Sequence, residues 1–331
     1  MTIKNKNMLN NSIEAYTGKN LDLCTYCKCK NIVKIGVIPE NFHFGTIQYM
    51  HPINKSNLYK CANCELYFKN PCIDSKIINY LYTKQPSLTW EYTDINKRSD
   101  LIFLKDFIIQ KLNLQPNDNI LDYGCFDGFF LSELKPQLKN CNYFGIEPSE
   151  EAVDKATSKG INILGGDENG LNDFNDFFDL IVMIDVFEHL TNITSVFEQL
   201  SKSLKRGGKL VIITGSTDSL PFKKYLNNYH YVTMPEHLVF ISKNFSKHLS
   251  QSFSFVFKEY ILISHDNKNN SFILKTKKFI KNKFKLFLNL FSINYFPLQF
   301  QVFYKILKFR GRGTLDINNL PDHAFILFEK K

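Results

Sequence analysis

The sequence contains no Asp or Glu between Asn267 and Leu315, a stretch that carries eleven Lys or Arg. The whole chain has a formal charge of +9, so the remainder sums to about −2 (9 − 11). The protein is therefore not globally basic; it has one basic segment. The opening residues, MTIKNKNMLNNSIEAYTGKN, lack the apolar core of a secretory leader, which predicts a cytoplasmic chain. No spanning helix is expected either. The uncharged run 286–304 is interrupted by Asn289, Asn294, Pro297, Gln299 and Gln301. There is no internal repeat and no low-complexity linker. What remains is an ordinary globular composition, 44% hydrophobic and 22% charged, with 31 Phe to build a substantial core.

Pattern divides the 331 residues into five parts. Residues 1–20 are polar and expected to fray, and 21–75 hold cysteine pairs among short β-prone runs. Residues 76–266 alternate apolar runs with helical stretches, the signature of βα units around a parallel sheet. Residues 267–315 are the basic, Phe-rich insertion, and 316–331 end in a strand, HAFILFEKK. The fold class expected is α/β, a Rossmann-like seven-stranded and mostly parallel sheet. A small N-terminal four-cysteine zinc ribbon precedes it, and a helical insertion comes before its last strand. FDLIVMID (178–185) reads as a central strand because it is apolar on both faces. Ser149 is the expected cap of the helix that follows the second strand.

Six of the eight cysteines fall within the first 72 residues. Cys24/Cys27 and Cys61/Cys64 form two C-x-x-C knuckles, and thiols so spaced in a cytoplasmic chain point to metal rather than disulfides. Together they complete a tetrahedral structural zinc site. The long interval between the knuckles exceeds usual ribbon spacing, and Cys29 or Cys72 could replace one ligand.

LDYGCFDGFF (121–130) reads as strand, glycine turn, helix, which lets backbone approach a ligand closely while helix N–H groups face it. Glu147 ends the second strand, where a carboxylate can accept from both ribose hydroxyls of an adenosine. Asp167 follows the third strand and Asp185 the fourth. At this point the sequence resembles the class I S-adenosylmethionine-dependent methyltransferases. LDYGCFDGFF, GIEPS, GGDEN, DLIVMIDVFEHL and LKRGGKLVI match that family's motifs in order and spacing. The resemblance implies cofactor contacts from Asp122, Gly124, Cys125, Gly128, Glu147, Asp167 and Asp185. The ribose falls to Glu147, the adenine amine to Asp167 and the methionine end or reaction centre to Asp185. One departure is Phe126, which stands where the family's G-x-G-x-G has its middle glycine. A dinucleotide enzyme needs that glycine for its pyrophosphate, so Phe126 favours S-adenosylmethionine over a nicotinamide cofactor.

Methyl transfer needs alignment and, for a hydroxyl nucleophile, a base. Asp185, Glu188 and His189 lie just past strand four, and Glu236 and His237 lie past strand five, where α/β sheets bind ligands. His189 and His237 are the candidate bases, with Asp185 as a third catalytic candidate. Tyr229 and His230 are weaker candidates.

LYKCANCELYFKNP further resembles the zinc ribbon that precedes methyltransferase domains in bacterial sugar and surface-glycan pathways. That resemblance implies a small-molecule or glycan acceptor, with O-methylation of a sugar in surface-polysaccharide biosynthesis as the leading reading. C-methylation of a keto-sugar stays open. The alternatives are an RNA or protein methyltransferase, or a non-catalytic zinc-dependent binding module. Residues 21–75 carry no dense Lys/Arg patch, which argues against nucleic acid. Residues 272–291 wind into an amphipathic helix with Phe272, Phe279, Phe284, Phe287 and Phe291 on one side. Lys277, Lys278, Lys281 and Lys285 lie on the other, so the helix suits either an acceptor lid or a peripheral contact with the inner membrane face. A lipid-linked acceptor would satisfy both.

Overall fold

The computed structural model describes residues 20–45, 47–48, 55–73, 78, 82, 94–265 and 320–331. The expected frayed terminus (apart from Asn20) and the basic segment 267–315, with its amphipathic helix, lie outside the described residues.

The N-terminal strands are β1 (Ile32–Val37), β2 (His43–Phe44), β3 (Ile47–Gln48), β4 (Asn57–Cys61) and β5 (Tyr67–Asn70). Helix α1 (Ser99–Lys111) buries Leu101, Leu104 and Ile108, the three-and-four spacing of one helix face. The βα units then follow as β6 (Asn119–Tyr123), α2 (Phe129–Leu134), β7 (Asn142–Ile146), α3 (Glu150–Ser158) and β8 (Asn162–Gly165). They continue through β9 (Phe178–Ile184), α4 (Ile193–Ser203) and β10 (Leu204–Gly215). The chain closes with α5 (Leu220–Tyr225), α6 (His230–Thr233), β11 (Val239–Phe240), α7 (Lys243–Ser252), β12 (Phe255–Ile263) and β13 (His323–Lys330).

Seven strands form one sheet in the order β12-β13-β10-β9-β6-β7-β8. The pairs among β6 to β10 are parallel, and β13 runs antiparallel to both β10 and β12. The α/β class and the mostly parallel seven-stranded sheet agree with the sequence pattern. Central β9 is buried along most of its length, as its double-sided apolar run requires. The order also fixes the crevice. From β6 the chain steps outward to β7 and β8, then returns to β9 on the other side of β6. That reversal opens a gap beyond the carboxyl ends of β6 and β9, where open α/β sheets receive ligands.

A second sheet runs β1-β4-β5-β11 and is antiparallel throughout. Its fourth strand, β11, comes from the loop after β10, with Val239 opposite Phe68 and Phe240 opposite Tyr67. The cysteine region is thus stitched into the main domain by backbone pairing. The packing follows suit: Cys24, Cys61, Cys64 and Phe68 share one buried cluster with Phe187, Phe197 and Phe245. Tyr26 meets the Phe245 ring edge-on at a centroid distance of 5.1 Å.

One local detail differs from expectation. Ser149 does stand at the N-cap of α3, but its side chain makes no capping bond; its own N–H donates to Glu147 Oε1. Strand β10 begins at Leu204, directly after α4 ends at Ser203.

Gly128 takes φ +72°, and a Cβ there would overlap Ile161 Cδ1. Gly128→Ala should therefore cost about 1–3 kcal/mol of stability from backbone strain and overpacking. Urea unfolding measures this, and an unchanged midpoint would contradict the packing described.

Candidate active site

Both glycines of the loop after β6 adopt left-handed φ, and Gly124 closes against Val186, whose Cγ2 would overlap a Cβ placed there. Phe126 also has φ +49°, the region that glycine prefers, although it carries a bulky side chain. Its N–H donates to Glu147 Oε2 at 2.9 Å, which pins the loop to the end of β7. Burial pushes the Glu147 carboxyl up to about 7, against the backbone bonds from Ser149 and Phe126 that favour its anion. Asp122, one strand over, is buried, and its Oδ1 has no hydrogen-bond partner. Burial, reinforced by Glu147, raises its carboxyl to about 8.

The other expected cofactor residues are placed less simply. Cys125 is buried with its Sγ against Gly145, so its thiol faces strand β7, and its N–H is spent on Ile146 O. Asp167 is exposed and caps a short 3-10 turn, Glu168–Leu171, by accepting from Asn169 N. Asp127, which pattern reading passed over, caps α2 by accepting from Phe129 N and pairs with Lys159 at 2.7 Å.

Asp185 sits at φ +51° at the end of β9, inside a charge cluster. Arg98 Nη2 donates to its Oδ2 at 2.7 Å and to Asp100 Oδ2 at 2.6 Å, with Arg98 and Asp100 both buried. His323 Nε2 lies 3.5 Å from Asp185 Oδ1, and His323 Nδ1 lies 3.1 Å from Asp322 Oδ1. Burial alone would raise Asp185, but Arg98 and His323 hold it well below the usual carboxylate range. The same burial opposes a charged His323, yet the Asp185 and Asp322 carboxylates lift it to about 10. Sequence pattern offered no sign of Arg98 or His323, since each finds its partners only in the folded chain.

Past Asp185 the chain turns through Glu188 and His189. Glu188 is buried and accepts from Thr214 Oγ1 at 2.8 Å and from the Tyr231 hydroxyl. His189 Nδ1 contacts Tyr82 Oη at 2.6 Å and Glu236 O at 3.0 Å. His237 Nδ1 lies 2.8 Å from Tyr231 O, and the His189 and His237 rings meet with centroids 4.9 Å apart. The structure thus brings both candidate bases together, with Glu188 beside them. Burial keeps His237 well below its ordinary pKa and so neutral. Tyr229 packs on Phe222 in a separate cluster and His230 is exposed. Lys69 of β5 is a further buried cation here; it donates to Met234 O, and burial lowers it to about 7.

Cys24, Cys27, Cys61 and Cys64 place their sulfurs within 4.8 Å of one another. The Cys24–Cys64 and Cys27–Cys61 separations are 3.6 and 3.5 Å. A tetrahedral ion with sulfur ligands at about 2.3 Å needs separations of about 3.8 Å, so the donor set fits zinc. Neither Cys29 nor Cys72 belongs to this group.

Residues 98–256 match the family model described as "Methyltransferase domain". Over those residues, somewhat under half of the chain, the sequence is similar to that family. Among solved structures, phosphoethanolamine N-methyltransferase 2 of Haemonchus contortus, determined with S-adenosyl-L-methionine, aligns with TM-score 0.50 and 15% identity. The alignment takes in 80% of this chain and 62% of that one, so less than two thirds of that protein's length is spanned. An S-adenosylmethionine-dependent methyltransferase of Thermotoga maritima aligns at 19% identity over 70% of this chain and 91% of that one, with TM-score 0.43. These likenesses concern the fold. No curated protein matches the chain in sequence.

The charged His323 sets a pH dependence for this methyltransferase fold. Its pKa rises from 6.5 to about 10 on folding, so its contribution to stability is full below pH 6.5 and is lost as pH climbs through 10. Urea unfolding across that window should show the loss, and His323→Gln should flatten it. Parallel profiles for the two proteins would contradict the cluster's role.

Proposed function

We propose that this chain moves the methyl group of S-adenosylmethionine to a hydroxyl of a small-molecule or glycan acceptor. The observation that carries the reading is Glu147, whose carboxylate meets the glycine-loop N–H of Phe126 at the crevice where the sheet order reverses. When bound, the cofactor supplies an electrophilic methyl on a sulfonium. Glu147 would hold the ribose hydroxyls, and Gly124 and Gly128 would leave the backbone close to the ligand. Asp122 Oδ1, buried without a partner, suits a donor on the cofactor side. Asp167 would serve the adenine edge. Asp185, already neutralised by Arg98, would position the loop end and the methionine side rather than take a proton.

On the acceptor side, a carbonyl oxygen can only accept, so Nδ1 of His237 carries the proton toward Tyr231 O, while His189 Nδ1 lies against both Glu236 O and the Tyr82 hydroxyl. The His237 ring then offers an Nε2 lone pair toward an acceptor hydroxyl. Zinc held by Cys24, Cys27, Cys61 and Cys64 would stiffen the small sheet, and through β11 the loop that carries His237. The glycan class rests on the resemblance of LYKCANCELYFKNP to ribbons of sugar-modifying methyltransferases. A cytoplasmic place, with residues 272–291 meeting the inner membrane face, accords with a lipid-linked acceptor. Among the described residues, no helix is long and apolar enough to cross a membrane.

Calorimetry with S-adenosylmethionine tests the core of this proposal. One site per chain is expected, weakened at least tenfold by Glu147→Gln; no heat with the cofactor or its demethylated product would sink it. His237→Gln should lower kcat by roughly 10²–10⁴-fold while cofactor affinity holds. Chelation should release one zinc per chain and loosen β11, read as faster amide exchange at Val239 and Phe240. Unchanged exchange there would separate the metal from the acceptor loop.

A further inference from the structure

We propose that Glu188, His189 and His237 bind one divalent transition-metal ion on the acceptor side of the crevice, separate from the four-cysteine site. The inference rests on the hydroxyl-directed reading above and deepens it. The three side chains each offer one ligand atom, and these atoms lie within 4.8 Å of one another. Glu188 is 1% exposed and His237 6%, so two of the three donors are held by their surroundings and not by solvent.

The surroundings are those that metal ligands need. His237 commits Nδ1–H to Tyr231 O, which fixes its tautomer and leaves Nε2 as the free lone pair, and His189 is held at Nδ1 by Glu236 O and the Tyr82 hydroxyl, which turns its Nε2 toward Glu188. Glu188 is itself oriented, by hydroxyls of Thr214 and Tyr231. His189 Nε2 lies 4.0 Å from Glu188 Oε1, too far for a direct hydrogen bond and close enough for both to reach one ion. Burial keeps His237 neutral, the form that ligates.

A neighbouring trio sharpens the choice. Asp185, His265 and His323 also cluster within the same limit, but Arg98 sits 2.7 Å from Asp185 Oδ2 and His323 is held charged by Asp185 and Asp322. That group already contains its cations and would repel another. The Glu188 trio holds no guanidinium. Lys69, the nearest buried amine, spends a hydrogen bond on Met234 O, and burial brings its pKa down to about 7.

Two imidazoles and one carboxylate suit borderline ions such as Fe²⁺, Co²⁺ or Zn²⁺ and leave coordination positions open. An acceptor hydroxyl in an open position would lose its proton to solvent as its oxygen forms the new bond to the methyl carbon. The carbon–sulfur bond breaks to give a neutral thioether, and the ion changes no oxidation state.

The test titrates Co²⁺ into full-length protein loaded with a single zinc per chain, followed by calorimetry and absorption. One equivalent should bind without releasing zinc and without a thiolate-to-cobalt charge-transfer band. Glu188→Gln and His189→Gln should each weaken that binding about 10–100-fold, while S-adenosylmethionine affinity in the same samples stays at the wild-type value. His189 is partly exposed, so its variant keeps the test alive if the buried Glu188 change prevents folding. No Co²⁺ bound beyond the zinc, or wild-type Co²⁺ affinity in both variants, overturns the site. Cobalt binding without cofactor binding would instead retain the site and remove the methyl-transfer reading.

Discussion

A single half-buried carboxylate governs how the main domain closes. Asp185 ends the central strand in a left-handed conformation, and its charge is tolerated only because Arg98 reaches it from the residue before α1. His323 approaches from the first residue of β13 and His265 from just past β12. The N–H of Ser99 also donates to His265 O. Four elements distant in sequence therefore converge on one charge. Arg98 and His323 are buried, so removing the carboxylate between them would leave their charge poorly compensated away from water, and breaking such buried pairs costs about 3–5 kcal/mol. This makes the mouth of the crevice one of the most constrained places in the fold.

Much of the sheet was legible because its signals are local. A run such as FDLIVMID states its own burial, and a glycine pair flanking a strand end states its own turn. The carboxylates Glu147 and Asp185 were legible as positions, since strand ends in an α/β sheet are predictable places. Their partners were not. Arg98 looks like any polar residue before a helix, His323 like the edge of a strand, and Lys69 like a surface lysine. Each is decided by a contact across the molecule, and periodicity carries no information about such contacts. Cys125 is a further case: its side chain packs against Gly145 of the neighbouring strand, a contact that its place in the loop does not announce.

The acceptor side illustrates how a polar cluster is kept unambiguous inside a core. Glu188, Thr214, Tyr231, His237 and His189 each satisfy a neighbour, so the hydroxyls and imidazoles have little rotational choice. Such a network is costly when half made and rigid when complete. Its rigidity leaves the free imidazole nitrogens aimed in fixed directions before any ligand arrives, which is the form of preorganisation that catalysis rewards.

The shared strand β11 has a consequence for how the molecule comes into being. The N-terminal sheet cannot finish on its own sequence, because its fourth strand is synthesised only after most of the parallel sheet has left the ribosome. Until then β5 presents an open edge, with Phe68 and Lys69 awaiting cover. The cysteine region is thus a late-maturing part of an early-synthesised segment. Its pairings span long sequence separations, which slow folding, and metal capture by two nearby knuckles would give the nascent chain a foothold during that wait.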